Sequence, residues 1–209
     1  MRPLTETETQ TLFKKLAGFA GPSLKNLIAP LDNSPQSDRF VFRLHRDRIY
    51  YVRLSHANLA SSIARGKLLS LGTCLGTLSR SITYNISEVA TNQLRWVGKF
   101  SKTGRVRLHI TALPLLAEHA RHKIWIRANG VMPLLYGQHV VKAHVGRWSE
   151  DCLEHQEVVF FSMDDVPLGF GVTARSSAQA KQLEPTAVVC FRQADAGEYL
   201  RDEDTLFAS

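Results

Sequence analysis

The sequence has few cysteines and no long apolar run, and both shortages limit what the protein can be. Only three cysteines occur in 209 residues, Cys74, Cys152 and Cys190, too far apart for CxxC spacing. This odd number, together with a polar N-terminal segment in place of a secretory h-region, predicts reduced thiols in an intracellular protein. No run approaches the roughly 18 apolar residues that span a bilayer, so we expect no membrane partner.

Common catalytic motifs are also absent from the sequence. It contains no GxxxxGK[ST], GxGxxG or HExxH motif, which argues against nucleotide-dependent and zinc-protease chemistry. His119 and His122 lie three residues apart, as helical metal ligands do, but no Cys or carboxylate at ligand spacing completes a set. Cys190 lies within an apolar run, where a buried inert thiol is favoured over a nucleophile. We therefore expect a protein that is not an enzyme and that needs no metal or cofactor.

Positive charge is the main compositional bias. The chain has 26 Lys and Arg against 19 Asp and Glu, giving a net charge of +7, which favours a polyanionic partner. Basic residues alternate with apolar ones at Lys99, Lys102, Arg105 and Arg107. On a strand, the period of two places Arg105 and Arg107 on one outer face. That face is either an RNA-facing stripe or a solvated strand surface, and the sequence leaves both readings open.

More arginines crowd a predicted hairpin near the N-terminus, at Arg43, Arg46, Arg48 and Arg53. Here we favour an exposed sheet edge kept soluble by charge.

The N-terminal part mixes helices with local hairpins. Thr5 and Glu8 have the spacing of a capping box at the start of a helix. Ser55 is positioned to cap a second helix through Ile63, and a third is expected from Pro114 to Ala120. Four strands are predicted, at Arg39–Leu44, Arg48–Leu54, Leu68–Gly72 and Arg105–Ile110. Without regular βαβ alternation, this pattern predicts an α+β fold with antiparallel strands.

The C-terminal part has the pattern of a small β-barrel. Two apolar runs, Val158–Phe161 and Ala187–Phe191, flank Pro167–Gly171, which we interpret as a tight turn whose glycines need positive φ. Strand, turn and strand in this order predict a compact barrel. Upstream, Lys123–Ile126 is the expected opening strand, and Leu135–Lys142 is expected to be a glycine-punctuated turn leading into a helix.

Several of these tracts resemble one known family. The barrel-like segment is similar to a PUA domain, a pseudo-barrel found in RNA-modifying enzymes and ribosome assembly factors. The start Met1–Glu6, the hexamer Leu71–Gly76 and the tract Phe100–Gly104 resemble the Nip-seven (nucleolar-import-protein-seven) family of large-subunit biogenesis factors. The resemblance implies an N-terminal α+β domain over residues 1–117 and a PUA domain over 118–209, packed directly together because no flexible linker is visible.

The same resemblance implies a function and a set of partners. It implies a non-catalytic, RNA-binding adaptor in the nucleus and nucleolus, needed for pre-rRNA processing and assembly of the large (60S) subunit. Its implied partners are precursor ribosomal RNA and pre-60S assembly factors, including rRNA methyltransferases, and it is expected to be monomeric within the pre-ribosome. Two alternatives stay open, a protein-interaction module without RNA contact and an RNA-modifying enzyme.

The resemblance also places the RNA-facing surface of the PUA domain. It lies near Gly137–Arg147 and Arg175–Lys181. The candidate RNA-binding residues there are His139, Lys142, Arg147, Arg175 and Lys181.

The similarity to the family stops at Thr77 and resumes after Gly98. In the family pattern the flanking halves join directly, so residues 77–98 are an insertion. We favour a retained, in-frame intron over a lineage-specific binding loop, and we expect a poorly ordered surface excursion. A connection of this length is unusual within a compact domain, where links are about 4–6 residues.

Overall fold

The computed structural model describes residues 1–27, 38–64, 67–68, 70–79, 82–85, 97–100 and 105–203. The strands in this part of the chain are β1 Arg2–Pro3, β2 Phe40–His45, β3 Arg48–Arg53, β4 Thr73–Ser79, β5 Ile82–Asn85, β6 Val97–Phe100, β7 Arg105–Leu108, β8 Lys123–Ile126, β9 Val140–Val141, β10 Val145–Trp148, β11 Glu157–Ser162, β12 Pro167–Thr173 and β13 Val188–Asp195. The α-helices are α1 Glu6–Ala20, α2 Leu54–Ala60, α3 Leu113–Glu118, α4 Ala128–Leu135, α5 Ser177–Ala180 and α6 Glu198–Arg201. Short 3-10 helices occupy Gly21–Leu27, Ile110–Ala112 and Lys142–His144. The α+β prediction is confirmed, and none of the helices described is long and apolar enough to cross a membrane.

The N-terminal half is built on an antiparallel sheet with the strand order β1-β2-β3-β4-β7. The predicted hairpin forms its centre, with β2 and β3 paired from Phe40 opposite Arg53 to His45 opposite Arg48. Its two-residue turn places Arg46 at φ 47° and Asp47 at φ 60°. Positive φ at both turn residues matches the right-handed twist of the paired strands.

Helix α1 begins with the predicted capping box. The Glu8 amide donates to Thr5 Oγ1 and the Thr5 amide donates to Glu8 Oε2, so two otherwise unpaired helical donors are satisfied. The helix buries Leu12, Leu16 and Phe19 against the sheet, and this packing supplies most of its stability.

Two N-terminal predictions are wrong in detail. Helix α2 starts at Leu54, and Ser55 does not cap it because its hydroxyl hydrogen-bonds with Asp38 instead. The strand predicted over Leu68–Gly72 begins only at Thr73. Gly72 has φ +73°, and a Cβ there would lie 2.4 Å from the Tyr51 carbonyl oxygen, so this residue serves as a tight bend before the strand.

The C-terminal half is a curved sheet with the strand order β10-β8-β11-β12-β13-β9. Only the β8–β11 pair is parallel among these neighbours; the other pairs are antiparallel. Ile124, Val158, Phe160 and Val189 fill its interior, each with no exposed surface. The nearly closed sheet around one core confirms the predicted pseudo-barrel.

The interpretation of Pro167–Gly171 as a turn is wrong. These residues belong to β12, and neither Gly169 nor Gly171 has positive φ. A Cβ at Gly171 would lie 2.2 Å from the Phe191 carbonyl oxygen and 2.9 Å from the Phe160 ring. The glycines are therefore required by the close approach of a neighbouring strand and ring.

The order of turn and helix around Gly137 is also the reverse of the prediction. Helix α4 directly follows β8, and Gly137 with φ +90° lies just beyond its C-terminal end. Gly137 donates its amide to the Leu134 carbonyl, an arrangement typical of a helix stop. The segment after it forms β9 and a 3-10 turn.

The two halves share one hydrophobic core, which confirms direct packing. Val159, Phe161, Phe170 and Ala194 of the barrel belong to the same buried cluster as the α1 and N-terminal sheet residues. The Phe19 and Phe170 rings meet edge to face at 5.5 Å. Around this core, Gln156 Nε2 donates to the Gly18 carbonyl, 3.2 Å away.

The first part of the proposed insertion is not a surface excursion. Residues 77–79 continue β4, and Leu78 is 5% exposed and paired opposite Val106 of β7. Strands β5 and β6 pair with each other in an antiparallel ribbon. The remaining residues of the segment, 80–81 and 86–96, lie outside the described residues.

Candidate nucleic-acid interface

A groove on the C-terminal half is lined by three of the five residues predicted to bind RNA in this half, Lys142, Arg147 and Lys181. It has a volume of about 920 Å³ and lies between the start of α4, the region of β10 and helix α5. Its cationic side chains are Arg127, Lys142, Arg147 and Lys181, and its carboxylates are Glu150 and Asp151. The excess of positive charge suits an anionic ligand.

Arg147 is the best-positioned cation of the groove. Its guanidinium lies 3.7 Å from the centroid of the Trp125 ring, close enough for a cation–π interaction. Trp125 Nε1 donates in turn to Asp165 Oδ1, 2.6 Å away. The indole is thus fixed by a hydrogen bond and supports an Arg147 side chain that stays exposed to solvent.

Lys142 makes hydrogen bonds within the protein that the sequence did not predict, and its part in RNA binding stays a prediction. Its ammonium donates to the Lys181 carbonyl at 2.8 Å and also to the Leu183 carbonyl. Two of its three donors are therefore used within the protein. These hydrogen bonds connect the groove lining to the end of α5. Lys142 therefore adds positive charge to the groove while two of its donors are already occupied.

Arg127 and Lys181 complete the basic lining, and both are exposed. Sequence reasoning missed Arg127. It is the residue between β8 and α4, with φ −66° and ψ 158°. The signal in the sequence was a basic residue between the first barrel strand and the next helix. It was overlooked because the helix was predicted after Gly137 and not directly after β8.

His139 and Arg175 do not line this groove. His139 Nδ1 accepts a hydrogen bond from the Arg192 amide at 3.3 Å, and its ring packs edge to face on Phe191. Arg175 pairs with Glu154 across 3.2 Å. Their part in RNA binding stays a prediction.

The remaining candidates belong to the N-terminal half. Arg105 and Arg107 lie on β7 and are both exposed, while Val106 between them is partly buried against the core. This confirms their predicted shared outer face. Lys99 lies in β6, where only the backbone is described, and Lys102 lies outside the described residues.

Other reactive side chains are buried or, at Cys74, half-buried. Burial raises the pKa of the Cys190 thiol, and the same cause dominates at Cys74 and Cys152. His122 is 6% exposed, and its pKa is lowered mainly by burial. Among the residues that the structure describes, no three His, Cys, Asp or Glu side chains group as metal ligands would.

Comparison with known domains matches both halves. Residues 1–95 match the NIP7/UPF0113 pre-PUA domain, and residues 122–204 match the UPF0113 PUA domain. Fold and domain content together define a PUA-domain protein with a pre-PUA domain before it.

Full-length relatives identify the family. The chain is 52% identical over 207 residues to the 60S ribosome subunit biogenesis protein NIP7 of Saccharomyces cerevisiae, covering 99% of both chains. It is 51% identical over 207 residues to the Schizosaccharomyces pombe protein of that name, covering 99% of this chain and 100% of the other. The chain therefore belongs to the NIP7 family.

Solved structures with little sequence similarity share the fold. A hypothetical protein from Pyrococcus horikoshii matches with a TM-score of 0.52 at 11% identity, covering 93% of both chains. A PUA-domain protein from Aeropyrum pernix matches with a TM-score of 0.50 at 13% identity, covering 95% of this chain and 87% of that one.

Proposed function

We propose that this protein is a non-catalytic, RNA-binding adaptor for pre-rRNA processing and 60S subunit assembly, acting in the nucleus and nucleolus. Membership of a family whose relatives are named as 60S biogenesis proteins supports the process. The basic groove supports RNA as the ligand, and it is the observation that carries the proposal. In this scheme precursor ribosomal RNA is the main partner.

The groove is suited to the RNA backbone rather than to base sequence. Arg127, Arg147 and Lys181 are cations at its surface, and such side chains contact phosphates and position a protein on the RNA. The Trp125 ring is already covered by Arg147. Ser149 Oγ accepts a hydrogen bond from the Lys123 amide and donates one to the Lys123 carbonyl, so neither group is free to bind a base. We infer phosphate contacts that are largely independent of sequence.

Three exposed apolar side chains on the C-terminal half support binding to assembly factors as well. Met132 and Tyr136 of the α4 region are 55% and 70% exposed, and Phe191 is 46% exposed. Large exposed apolar side chains of this kind favour protein contacts. Pre-60S factors, including rRNA methyltransferases, are the proposed partners, with any modification chemistry supplied by the partner.

The groove is tested by reversing its exposed charges. We expect Arg147→Glu with Lys181→Glu to weaken binding of single-stranded RNA more than tenfold, because two cations become anions. The slope of log K against log salt should become less steep by about 1.4, at about 0.7 per lost phosphate contact. Filter binding at several salt concentrations measures both quantities. Lys142 is left unchanged, since a glutamate there would face the carbonyls of Lys181 and Leu183.

The matched control carries the same charge change elsewhere. Lys14 and Lys25 are exposed in the N-terminal half, so Lys14→Glu with Lys25→Glu should have a much smaller effect. Equal losses of RNA affinity in the two double variants would show that the groove contributes only through the overall charge of the protein. Unchanged affinity and salt slope in the groove variant would remove it from the RNA-binding surface.

A further inference from the structure

Three planar side chains lie in a row across the C-terminal sheet. Trp125 of β8 pairs opposite Phe161 of β11 on one side and opposite Arg147 of β10 on the other. Directly opposed residues project from the same face of a sheet. The Phe161 and Trp125 ring centroids are 6.2 Å apart, and the Arg147 guanidinium lies 3.7 Å from the Trp125 centroid. We call Phe161, Trp125 and Arg147 the planar row.

The planar row runs from the core to the surface. Phe161 is 6% exposed and belongs to the core shared by the two halves. Trp125 packs against that core and is partly buried, and Arg147 is exposed. Within the described part of the chain, β10 is the edge strand of this sheet. Arg147 lines the groove, so its guanidinium, supported from behind by the indole, is the surface that a ligand in the groove meets.

A β-bulge brings Arg147 onto the Trp125 ring. Strands β8 and β10 pair with a register shift, in which Val145 lies opposite Ile126 and Arg147 opposite Trp125. In a regular pair Gly146 would lie opposite Trp125, and Arg147 would turn to the barrel interior. The bulge thus re-aims a charged side chain from the interior onto an aromatic ring, as bulges beside functional sites do.

The planar row is already ordered without a ligand. Trp125 Nε1 donates to Asp165 Oδ1, 2.6 Å away, which fixes the plane of the indole. One face of the Arg147 guanidinium lies on this indole. Because the side chain is nevertheless exposed, its opposite face and its edges are open to solvent. A side chain that is held in place in this way loses little further freedom when a ligand binds.

An open guanidinium face at the end of an aromatic stack suits a nucleobase. Unpaired bases stack on arginine planes and on aromatic rings in RNA-binding proteins, and they do so with little sequence preference because every base has a π-face. The groove of about 920 Å³ has the size of sites that enclose a small ligand, about 300–1,000 Å³. Its carboxylates, Glu150 and Asp151, repel phosphate but accept hydrogen bonds from base amino groups.

We propose that Arg147 stacks one unpaired RNA base at the exposed end of the planar row, while its edge and the other groove cations contact the phosphates. This site rests on the proposed RNA-binding function and adds that the RNA in the groove is single-stranded, since a base within a duplex is already stacked between its neighbours. A site for phosphates alone would gain nothing from a planar cation on a ring, and a lysine would serve there equally well.

Arg147→Lys tests the stacking, because it keeps the charge and removes the plane. The probe is a single-stranded RNA of about 10 nucleotides, within the roughly 4–16 that one module covers. We expect about tenfold weaker binding, as for the loss of one stacked base. The slope of log K against log salt should stay unchanged, because no phosphate contact is lost. Arg127→Lys makes the same change at another exposed cation of the groove and should leave the affinity nearly unchanged.

An abasic RNA of the same length separates the bases from the phosphates. It keeps every phosphate but has no base to stack, so the unaltered protein should bind it about tenfold more weakly or worse. Arg147→Lys should cause no further loss on this RNA, and none on a fully paired duplex. Circular dichroism and the unfolding midpoint check that the variant is folded like the unaltered protein.

The outcomes separate stacking from the groove itself. Normal binding of ordinary RNA by Arg147→Lys, with defective binding by Arg147→Glu with Lys181→Glu, would overturn the stacking and leave a phosphate-binding groove. An equal loss on ordinary and abasic RNA would assign Arg147 to the backbone and would overturn the stacking as well. If the charge-reversal variant also binds RNA normally, the groove is not the RNA site and both proposals fail.

Discussion

Glu8 links the N-terminal strand to the first helix. Its carboxylate accepts hydrogen bonds from Arg2 Nη1 and Nη2 at 2.8 and 2.6 Å and from the Thr5 amide at 2.8 Å. The Arg2 hydrogen bond is the main cause that lowers the Glu8 pKa from 4.5 to about 2. Because the folded pKa is the lower one, the ionised group stabilises the fold above pH 4.5, and that contribution is lost as the pH falls towards 2.

We expect Glu8→Gln to destabilise the protein by about 1 kcal/mol at neutral pH, as losses of helix caps do. The difference in unfolding free energy between the two proteins should stay constant down to about pH 5 and shrink between pH 4.5 and 2. Urea titrations across this range measure it. Glu6→Gln, an exposed change in the same helical turn, is the control. A difference that does not depend on pH would contradict the assigned ion pair.

At this scale, sequence reasoning succeeds where the partners are close along the chain. Thr5 and Glu8 are three residues apart, so the motif itself specifies the contact. Lys142 contacts carbonyls 39 and 41 residues away, and Gly171 is required by the backbone of Phe191. Neither requirement leaves a local pattern, so sequence reasoning found neither contact.

At the scale of elements, β4 shows how the insertion fits. Residues 76–79 read Gly-Thr-Leu-Ser, and residues 98–101 read Gly-Lys-Phe-Ser. Both have one apolar residue at the third position, where Leu78 packs against the core. Removal of residues 77–98 therefore leaves a strand sequence of the same pattern, with Phe100 in the place of Leu78.

We expect deletion of residues 77–98 to leave a folded protein that binds RNA, because the alternative strand restores the apolar contact. In the deletion variant, Phe100→Ala should cost about 3–5 kcal/mol, as for a buried phenylalanine. Leu78→Ala in the intact chain should cost about 2–5 kcal/mol and is the matched comparison. Denaturant unfolding measures each value. An unfolded deletion variant, or no effect of Phe100→Ala in it, would refute the replacement.

Elements with a regular hydrophobic pattern were predicted well, and elements without one were missed. The β2–β3 hairpin alternates clearly and was found within one residue at each end. Strand β12 is buried on both faces and carries two glycines, so it lacks the alternation that marks a strand. Helix α4 contains Gly130 and Pro133, both poor helix formers, and it was missed for that reason. The retained intron and the domain boundary near residue 117 stay predictions.

For the whole molecule, the shared core predicts one cooperative unit. Phe19 is 1% exposed and lies against Phe170 of the other half. We expect Phe19→Ala to destabilise the protein by about 3–5 kcal/mol. The unfolding midpoint should shift equally by circular dichroism and by tryptophan fluorescence in a Trp96→Phe background, where the remaining Trp125 and Trp148 lie in the C-terminal half.

The control is Leu59→Ala, a side chain that is 71% exposed and should shift the midpoint little. A tryptophan transition that does not move in the Phe19→Ala variant would show that the halves unfold separately. The family resemblance supplied the order of the two domains, and the sequence itself showed no flexible linker between them. It could not supply the Phe19–Phe170 contact, because each residue is simply apolar within its own element.

The shared core also sets an order of events during synthesis. The N-terminal sheet and α1 are complete once residue 116 has been made, but their apolar surface is covered only when Val159 through Ala194 follow. At 5–20 residues per second, those further residues take roughly 4–16 s. The chain therefore carries a half-covered core while its second half is being made, and any variant that slows synthesis of the second half lengthens this exposed interval.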